Sequence, residues 1–388
     1  CICIISHWPF YRALRSFLQQ IYRISLSPSS VPLERYIAYF THYMPLPPPG
    51  QHALNLHLDL GLNDRVENSS LTPITLQLPD ARSLPLMDLD YEAPFRCLSL
   101  DNVLKIFTLL LMEERLLFIS SSTSLLTEVT ETILTLLFPF EWMSCYIPRL
   151  PNKLTEILDA PGSFLIGIYT EGSTDSWVLP QLSDPLFVVD LDRNCIADGE
   201  GKLDYVAAME NLPLLETLRE KLRVELERAA VTVKSAEALR ERDSAFELPA
   251  VPGSELEDGP ANKPKLNPDV VRDAFLVFMC ELLGNYTRFF NSQEGKGGSA
   301  DGGAGGDMTH NGVFGAFDVP GFVASMDKTA KPLLDKMVLT QMFAALVQKR
   351  TDHSHGVDRL VFFETCVQEL RERKDAEAAA AAAAASGG

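Results

Sequence analysis

The chain has 388 residues, with 34 Lys or Arg against 52 Asp or Glu, so its formal net charge at pH 7 is −18. Such an acidic chain is repelled by a phosphate backbone, which disfavours nucleic acid as the main partner. Hydrophobic residues make up 46% of the sequence, enough for a sizeable core, and the length predicts two or three domains.

The cysteines and the apolar runs narrow the class of protein further. The seven cysteines form no C-x-x-C pair and do not cluster with the seven histidines. This pattern disfavours a zinc site or a disulfide framework and is typical of buried thiols in a reducing compartment. No uncharged apolar run reaches about 18 residues, so no membrane span is predicted. We expect a cytoplasmic protein.

The first eighty residues alternate extended and helical patterns. The chain begins with CICIISHW, and we interpret residues 2–6 as a buried strand inside a domain and not as a signal peptide. YRALRSFLQQIYRIS predicts an amphipathic helix, and a shorter helix follows near residues 33–40. The proline-rich MPLPPPG, residues 44–50, must be extended and is a candidate hinge. Residues 52–60 and 74–80 alternate apolar and polar side chains, which predicts two strands.

From residue 98 the pattern changes to helices that alternate with short apolar strands. Ser99 is a plausible N-cap for a helix that is apolar on most sides, with a polar stripe at Asp101, Lys105 and Thr108. LLFIS, residues 116–120, predicts a buried strand, and the serines after it should end that strand and cap the next helix. In that helix we expect Glu128 and Thr132 to face outward. CYIP, FLIGIY and LFVVDLD predict further strands, so we expect an α/β fold with a mostly parallel sheet covered on both faces.

The C-terminal half is predicted to be helical, with two interruptions. Residues 203–243 predict a charged helix, and residues 229–266 include a linker rich in Pro, Gly and acidic residues. Asn267 and Pro268 form a strong helix start. Residues 291–312 are Gly-rich and should be a flexible insertion. Helical periodicity returns after that insertion, and residues 373–388 form an alanine-rich tail that we place outside the fold.

No stretch of the sequence carries the spacing of a known catalytic site. FISSSTS lacks the glycines of a nucleophile elbow, and G-K-[ST] does not occur. Glu113, Glu114 and Arg115 are best explained as a turn with a local ion pair. Asp190 and Asp192 flank a strand end, where a divalent ion is an alternative, but no third ligand is evident. We therefore expect no cofactor and no metal, and the sequence favours protein binding over enzyme chemistry as the function.

The order of the segments resembles the DENN domain family. CICIISHWPFYRALRSFLQQIYR resembles the end of the upstream module, and PLERYIAYF with PLPPPG resembles the linker into the core. Residues 98–151, with APGSFLIGIY and VVDLD, are similar to the core module. VVRDAFLVFMCELLGNYTRFF, the FD of AFDVPGF and TQMFAALVQKR resemble the downstream module. The resemblance spans about residues 1–370 outside the linkers, in the family's order.

The resemblance implies an arrangement of modules. Residues 1–50 would be the end of the upstream, longin-like module with its Pro-rich linker, 51–228 the core module, and 267–372 the downstream helical module. The implied fold is bilobal, with an N-terminal longin-like α/β lobe and a larger α/β lobe with appended C-terminal helices. The first strands expected of the longin lobe are absent from the N-terminus of this sequence, so that lobe would be truncated and exchange could be impaired.

The implied activity is guanine nucleotide exchange on a Rab-family small GTPase in membrane trafficking, with peripheral recruitment to a vesicle or endosomal membrane. Alternatives are a non-exchanging adaptor on the same fold and a GTPase-activating protein with Arg115 or Arg149 as an arginine finger. Exposed polar residues of the matched core are the candidate GTPase contacts, and for each of them a structural role in a cap or a turn is an equal alternative. The candidates are Asp101, Asn102, Glu113, Arg115, Ser121, Ser122, Trp142 and Arg149.

Overall fold

A computed structural model describes residues 3–26, 31–58, 73–89, 91–171, 182–198, 213–235, 265–290, 317–352 and 357–386. The chain divides into two compact units, Cys1–Asp90 with Glu241–Lys263, and Tyr91–Arg240 with Pro264–Gly388. The predicted Gly-rich insertion and most of the predicted linker lie outside the described residues. The module boundaries predicted from the resemblance are a different kind of division, and they stay predictions.

The first unit is built on one amphipathic helix. Its elements are α1 (Tyr11–Leu26), α2 (Leu33–Ala38), a π-helical turn (Tyr39–Tyr43), and the antiparallel strands β1 (Leu54–Leu56) and β2 (Ile74–Leu76). The inner side of α1 packs against α2 and β2, and Phe17 stacks on Phe40 with ring centroids 3.8 Å apart. The predicted helix and strands are confirmed. The strand predicted at residues 2–6 is wrong over residues 3–6, where no strand pairs and Ile5 is 96% exposed.

The second unit is centred on a five-stranded sheet. Its strands follow the spatial order β4-β5-β3-β6-β7, and the first four are parallel. Strand β3 lies in the middle and is buried at every residue. The predicted α/β class with a mostly parallel sheet is confirmed. The sequence analysis missed β7, a short antiparallel strand that returns beside β6 after a tight turn. The strand bounds are β3 Leu116–Ser120, β4 Cys145–Leu150, β5 Phe164–Tyr169, β6 Phe187–Asp190 and β7 Cys195–Asp198.

Helices and 3-10 segments make up most of the rest of the second unit within its described residues. The caps predicted at Ser99 and Asn267 are present, because Ser99 Oγ accepts a hydrogen bond from Asn102 N and Asn267 Oδ1 accepts one from Asp269 N. The helices are α3 Ala93–Cys97, α4 Leu100–Leu111, α5 Thr123–Thr135, α6 Pro213–Arg228, α7 Pro268–Leu283, α8 Val319–Ser325, α9 Lys331–Met337, α10 Gln341–Asp352 and α11 Val357–Ser386, and the 3-10 segments are Asn152–Asp159 and Tyr286–Phe289. Among the described helices, none has both the length and the apolarity to cross a membrane.

Two helix ends differ from the sequence prediction. Helix α6 ends at Arg228, well before the predicted end at residue 243, and residues 231–235 continue without regular structure. Helix α11 continues through the alanine run to Ser386, although that run was expected to lie outside the fold. Alanine has the highest intrinsic helix propensity. The run can therefore extend the helix even though its described side chains are exposed.

Three side chains expected on polar faces are buried. Thr108 and Thr132 are fully buried, and Glu128 is 6% exposed. Thr108 Oγ1 donates to Leu104 O at 2.8 Å, and Thr132 Oγ1 donates to Glu128 O at 2.6 Å. A threonine hydroxyl that bonds the carbonyl one turn earlier needs no further partner, so it can face the core. The outward positions that the polar periodicity predicts for Thr108 in α4 and for Glu128 and Thr132 in α5 are therefore wrong.

Gly167, in the middle of β5, is required by the close approach of β4. A Cβ at this position would collide with the carbonyl oxygen of Pro148, next to an irregularity in the β4–β5 register. Gly162 is a useful contrast, because it has a φ of +91° but open space around a Cβ. The first glycine is needed for space and the second for its backbone conformation.

We expect Gly167→Ala to lower the free energy of unfolding by about 1–3 kcal/mol or more, because the backbone of β4 must move away. Gly162→Ala should cost only about 1 kcal/mol, from the left-handed backbone conformation. Thermal unfolding of the two variants compares them directly. Equal losses would contradict the role assigned to the β4–β5 contact.

Candidate functional site: the polar ends of the central sheet

The carboxyl ends of β3 and β6 are joined by the carboxylate of Asp192. Its Oδ1 accepts a hydrogen bond from Ser120 Oγ at 2.7 Å, and its Oδ2 accepts from Ser121 N at 3.0 Å and from Ser121 Oγ. Asp190 shapes the same turn, because its Oδ1 accepts from Asp192 N and Arg193 N, both at 3.0 Å. Ser122 completes the arrangement as the N-cap of α5. The serines thus end the strand and cap the helix, as expected.

The same turn is held from the other side by the start of α4. Asn194 has a φ of 53°, a left-handed conformation that asparagine tolerates better than most residues. Its Oδ1 accepts hydrogen bonds from Ser99 N at 2.7 Å and Asn102 Nδ2 at 2.9 Å, and its carbonyl accepts from Asn102 Nδ2 at 2.8 Å. The β6–β7 turn is therefore clamped between β3 and α4.

Charged side chains remain exposed around this clamped turn. Asp101 is 64% exposed while it accepts a hydrogen bond from Arg219 Nε of α6 at 3.1 Å. Arg193 is 45% exposed, with its Nε 3.6 Å from Asp190 Oδ2. We call the group formed by Asp101, Arg193 and Arg219 the carboxyl-edge surface. It presents both signs of charge on a rigid support, which suits recognition of a protein partner.

Arg149 also lies at the carboxyl ends of the strands, on the side of β4. It is exposed, and its guanidinium carbon lies 5.6 Å from the centroid of the Tyr169 ring at the end of β5. This cation–π contact orients the side chain while leaving the residue accessible to a partner.

Glu113 lies at the opposite end of β3 and is buried. Its φ is 50°, and its two carboxylate oxygens accept hydrogen bonds from Gln341 N and Met342 N, each at 2.8 Å. These N–H groups belong to the first turn of α10, where a helix leaves its donors unsatisfied and the dipole favours negative charge. Glu113 therefore caps a helix that is more than two hundred residues away in sequence.

Arg115 is held in the same region. Its Nη2 donates to Leu158 O and, at 3.4 Å, to Ala160 O, and its Nη1 lies 3.5 Å from Asp184 Oδ2. The guanidinium carbon is 4.9 Å from the centroid of the Phe164 ring. With its side chain only 10% exposed, Arg115 ties the 3-10 segment and the start of β6 to β3.

Trp142 precedes β4 and is partly exposed, and its Nε1 donates to Cys145 O at 3.3 Å. It belongs with Glu113 and Arg115 at the amino ends of the strands. Helix α4 has 12 residues and spans about 18 Å between the two ends of the sheet. The eight predicted contacts therefore do not form one surface.

The expectation that all eight side chains are exposed is wrong for Glu113, Arg115, Ser121 and Ser122, which are 9% exposed or less. Each of the four side chains forms at least one hydrogen bond within the protein, which favours its burial, although Arg115 Nε and Nη1 have no hydrogen-bond partner among the described residues. Asp101, Asn102, Trp142 and Arg149 remain at least partly accessible. A role of any of the eight in GTPase binding stays a prediction.

Asp192, Asn194 and Arg219 position the carboxyl edge but were not among the predicted contacts. An acidic residue just after an apolar strand was the available signal for Asp192. Asn194 gave a weaker signal, as a turn residue that tolerates a left-handed backbone. No feature of the neighbouring sequence indicates the role of Arg219, because its partner Asp101 is 118 residues away in sequence.

No group of three His, Cys, Asp or Glu side chains within the described ranges could hold a metal ion. The oxygens of Asp192 already accept hydrogen bonds from two serines. Burial raises the pKa of the Cys280 thiol to about 12 and also raises the pKa of the Cys97 thiol. Both thiols are therefore protonated at neutral pH and are poor nucleophiles.

Comparison with known proteins identifies the family. A family model described as the DENN (AEX-3) domain matches residues 1–194, half of the chain. The chain belongs to the DENN family. The DENN match extends from the N-terminus to the β6–β7 turn, so it includes Asp101, β3 and the turn that Asp192 and Asn194 hold. Helices α6 to α11 lie beyond it.

A curated relative supports the same assignment. The DENN domain and WD repeat-containing protein SCD1 of Arabidopsis thaliana is 36% identical over 202 residues, which cover 52% of this chain and 16% of the relative. This chain therefore corresponds to a small part of that relative's length. The similarity supports the family assignment, and the activity of the whole relative is not inferred for this chain from it.

We predict that Glu113→Ala lowers the free energy of unfolding by about 1–3 kcal/mol, because the first turn of α10 loses its cap. Glu113→Gly should lose about 1 kcal/mol less than Glu113→Ala, since glycine adopts the positive φ without strain. Urea denaturation of the variants tests both statements.

Glu141→Gln is the matched control for this prediction. Glu141 also pairs with α10, through Lys349, but its side chain is 58% exposed. An exposed ion pair contributes at most about 1 kcal/mol. A loss at Glu141 as large as that at Glu113 would contradict the capping role.

Proposed function

We propose that this chain promotes GDP release from a Rab-family small GTPase and that the carboxyl-edge surface is part of the contact. The observation that carries the proposal is the DENN match over residues 1–194, since guanine nucleotide exchange is the activity that the DENN resemblance implies. The clamped β6–β7 turn lies inside the matched region and carries an exposed, positioned Arg193.

The proposed mechanism is one of binding. An exchange factor that binds the nucleotide-free GTPase more tightly than the nucleotide-bound form must weaken nucleotide affinity by the same factor. A rigid contact surface favours this outcome, because little conformational entropy is lost when the complex forms. Asp192 and Asn194 supply that rigidity for Arg193, and the pair with Asp101 orients Arg219. No residue of the chain has to react.

The proposal also covers the first unit, the location of the protein and its partners. The first unit would be the longin-like lobe that the family resemblance implies. The protein would act in the cytoplasm and at the surface of a vesicle or endosomal membrane. Small GTPases would be its direct partners, and the exposed charges of the carboxyl-edge surface would contribute to the rate and specificity of association.

Of the two candidate arginine fingers, Arg115 and Arg149, only one is exposed. An arginine finger must project into the GTPase active site. Arg115 is buried and bonded to Leu158 O and Ala160 O, so it would have to break these contacts to serve. Arg149 is exposed and is the better candidate for this alternative. An adaptor function would use the same surfaces without accelerating either nucleotide release or hydrolysis.

The test is release of fluorescent GDP from a panel of purified Rab GTPases in the presence of the 388-residue chain. We expect at least one Rab to release GDP faster. Arg193→Glu should reduce this stimulation by roughly 3- to 10-fold, because it reverses a charge at the edge of the contact. The melting temperature of the variant shows whether the pair with Asp190 is needed for folding.

Lys374→Glu is the matched control, because Lys374 is 56% exposed on α11 and pairs with Glu281 of α7. It should leave the stimulation unchanged. If no Rab releases GDP faster, the exchange proposal fails. Faster GTP hydrolysis that Arg149→Ala abolishes would establish the activating function instead, and binding without either effect would establish an adaptor.

A further inference from the structure

The proline-rich stretch MPLPPPG, residues 44–50, lies inside the first compact unit, and we call it the proline segment. Residues 44–48 form neither helix nor strand, and a turn follows at residues 49–50. Four of the five residues 44–48 precede a proline, which restricts each of the four to an extended backbone. Met44 has a φ of −73° and a ψ of 120°, close to the polyproline II values of about −75° and +145°. The proline segment is therefore a short polyproline II helix that ends in a turn.

One edge of the proline segment faces its own protein. A polyproline II helix has three residues per turn, so every third residue lies on the same edge. Met44 packs against the core of the first unit, and Pro47 is buried. Three residues further on, Gly50 N donates a hydrogen bond to Leu78 O at 3.0 Å. The segment is therefore held in its extended form before any partner binds.

The other two edges of the proline segment are exposed. Pro45 and Pro48 lie on one of these edges, and Leu46 and Pro49 lie on the other. Leu46 is 52% exposed, and Tyr43, immediately before the segment, is 76% exposed. Pro45 and Pro48 are the two defining prolines of a P-x-x-P sequence. The residues that define this motif therefore lie on the accessible side of the segment.

The exposed edges have the chemistry of a known kind of ligand. P-x-x-P segments in the polyproline II conformation dock in aromatic-lined grooves, such as those of SH3, WW and EVH1 domains. Proline has no N–H group to donate, so the backbone of such a segment offers carbonyl acceptors, which Tyr and Trp side chains can bind. A helix that is already formed loses little conformational entropy when it docks.

We propose that the exposed edges of the proline segment bind a protein domain with an aromatic-lined groove for polyproline II ligands. Pro45 and Pro48 would enter the groove together with Leu46 and Pro49, and Tyr43 would pack at its end. The edge formed by residues 44, 47 and 50 would stay on the first unit, as it is in the free chain.

The charge around the proline segment disfavours a lipid surface or a nucleic acid as its partner. Residues 36–64 contain no Lys or Arg, so this part of the sequence does not attract anionic groups. The carboxylate of Asp80 lies against Gly50 and adds a negative charge at the end of the segment. The inference goes beyond the proposed exchange activity and does not require it, because the carboxyl-edge surface belongs to the second unit.

The experiment is surface plasmon resonance of the 388-residue chain over a panel of immobilised SH3, WW and EVH1 domains. We expect at least one domain to bind, and we expect a decaproline peptide to displace the chain because it occupies the same groove. P45A/P48A should bind at least about tenfold more weakly, because two rings leave the groove and the free segment is less rigid. Leu46→Asp should bind roughly tenfold more weakly with every proline in place.

P73A/P161A is the matched control, because it makes the same change at two exposed prolines outside the proline segment. It should bind within about twofold of the original chain. Circular dichroism and the melting temperature show whether each variant folds. If no domain of the panel binds, if the decaproline peptide does not displace the chain, or if the two folded double variants lose binding equally, the proposal is wrong.

Analytical ultracentrifugation tests whether a second copy of the chain occupies the same edges. We expect P45A/P48A to leave the sedimentation of the chain unchanged. Self-association that P45A/P48A abolishes would show that the proline segment binds another copy of the chain, which would overturn the proposal.

GDP release measured without any added domain separates this proposal from the proposed function. P45A/P48A should stimulate release as well as the original chain does. Loss of stimulation in the folded variant with unchanged binding to the panel would assign the segment to the GTPase contact and overturn the proposal. A chain that binds a polyproline-binding domain and stimulates no Rab would support this proposal and refute the exchange activity.

Discussion

The central strand β3 is buried at every residue, and the polar residues that flank it form hydrogen bonds to other parts of the protein. At the carboxyl end, Ser120 and Ser121 bond the carboxylate of Asp192. At the amino end, Glu113 caps α10 and Arg115 bonds carbonyl groups of the 3-10 segment. These bonds attach the sheet to the rest of the second unit, because helix α10, the β6–β7 turn and the 3-10 segment are each held by a polar group that flanks β3.

This constraint explains why part of the site could be predicted and part could not. The strand LLFIS, the cap at Ser99 and the serine cap of α5 depend on neighbouring residues, and the sequence predicted all three. The burial of Glu113 depends on Gln341 and Met342, and the burial of Arg115 depends on Leu158 and Ala160. A sequence pattern shows that these residues are polar and lie in a turn, but it does not show which distant backbone groups they meet.

Similar reasoning applies to the fold. Apolar strands that alternate with helices were sufficient to predict a mostly parallel sheet. The short strand β7 was missed because four residues after a tight turn carry too little periodic signal. Thr108 and Thr132 were placed on outer faces because their hydroxyls were counted as polar, whereas each hydroxyl is satisfied by its own helix. The alanine run was assigned to a tail on composition alone, although the same composition is the best helix former.

The carboxyl-edge surface carries mixed charge on a turn that Asp192 and Asn194 hold in place, and we propose that it contacts the GTPase. Hydrogen–deuterium exchange of the chain with and without a nucleotide-free Rab tests the central claim most directly. We expect slower exchange in peptides that cover residues 98–104 and 187–198. Slower exchange confined to residues 111–116 and 138–145, at the opposite end of the sheet, would contradict it.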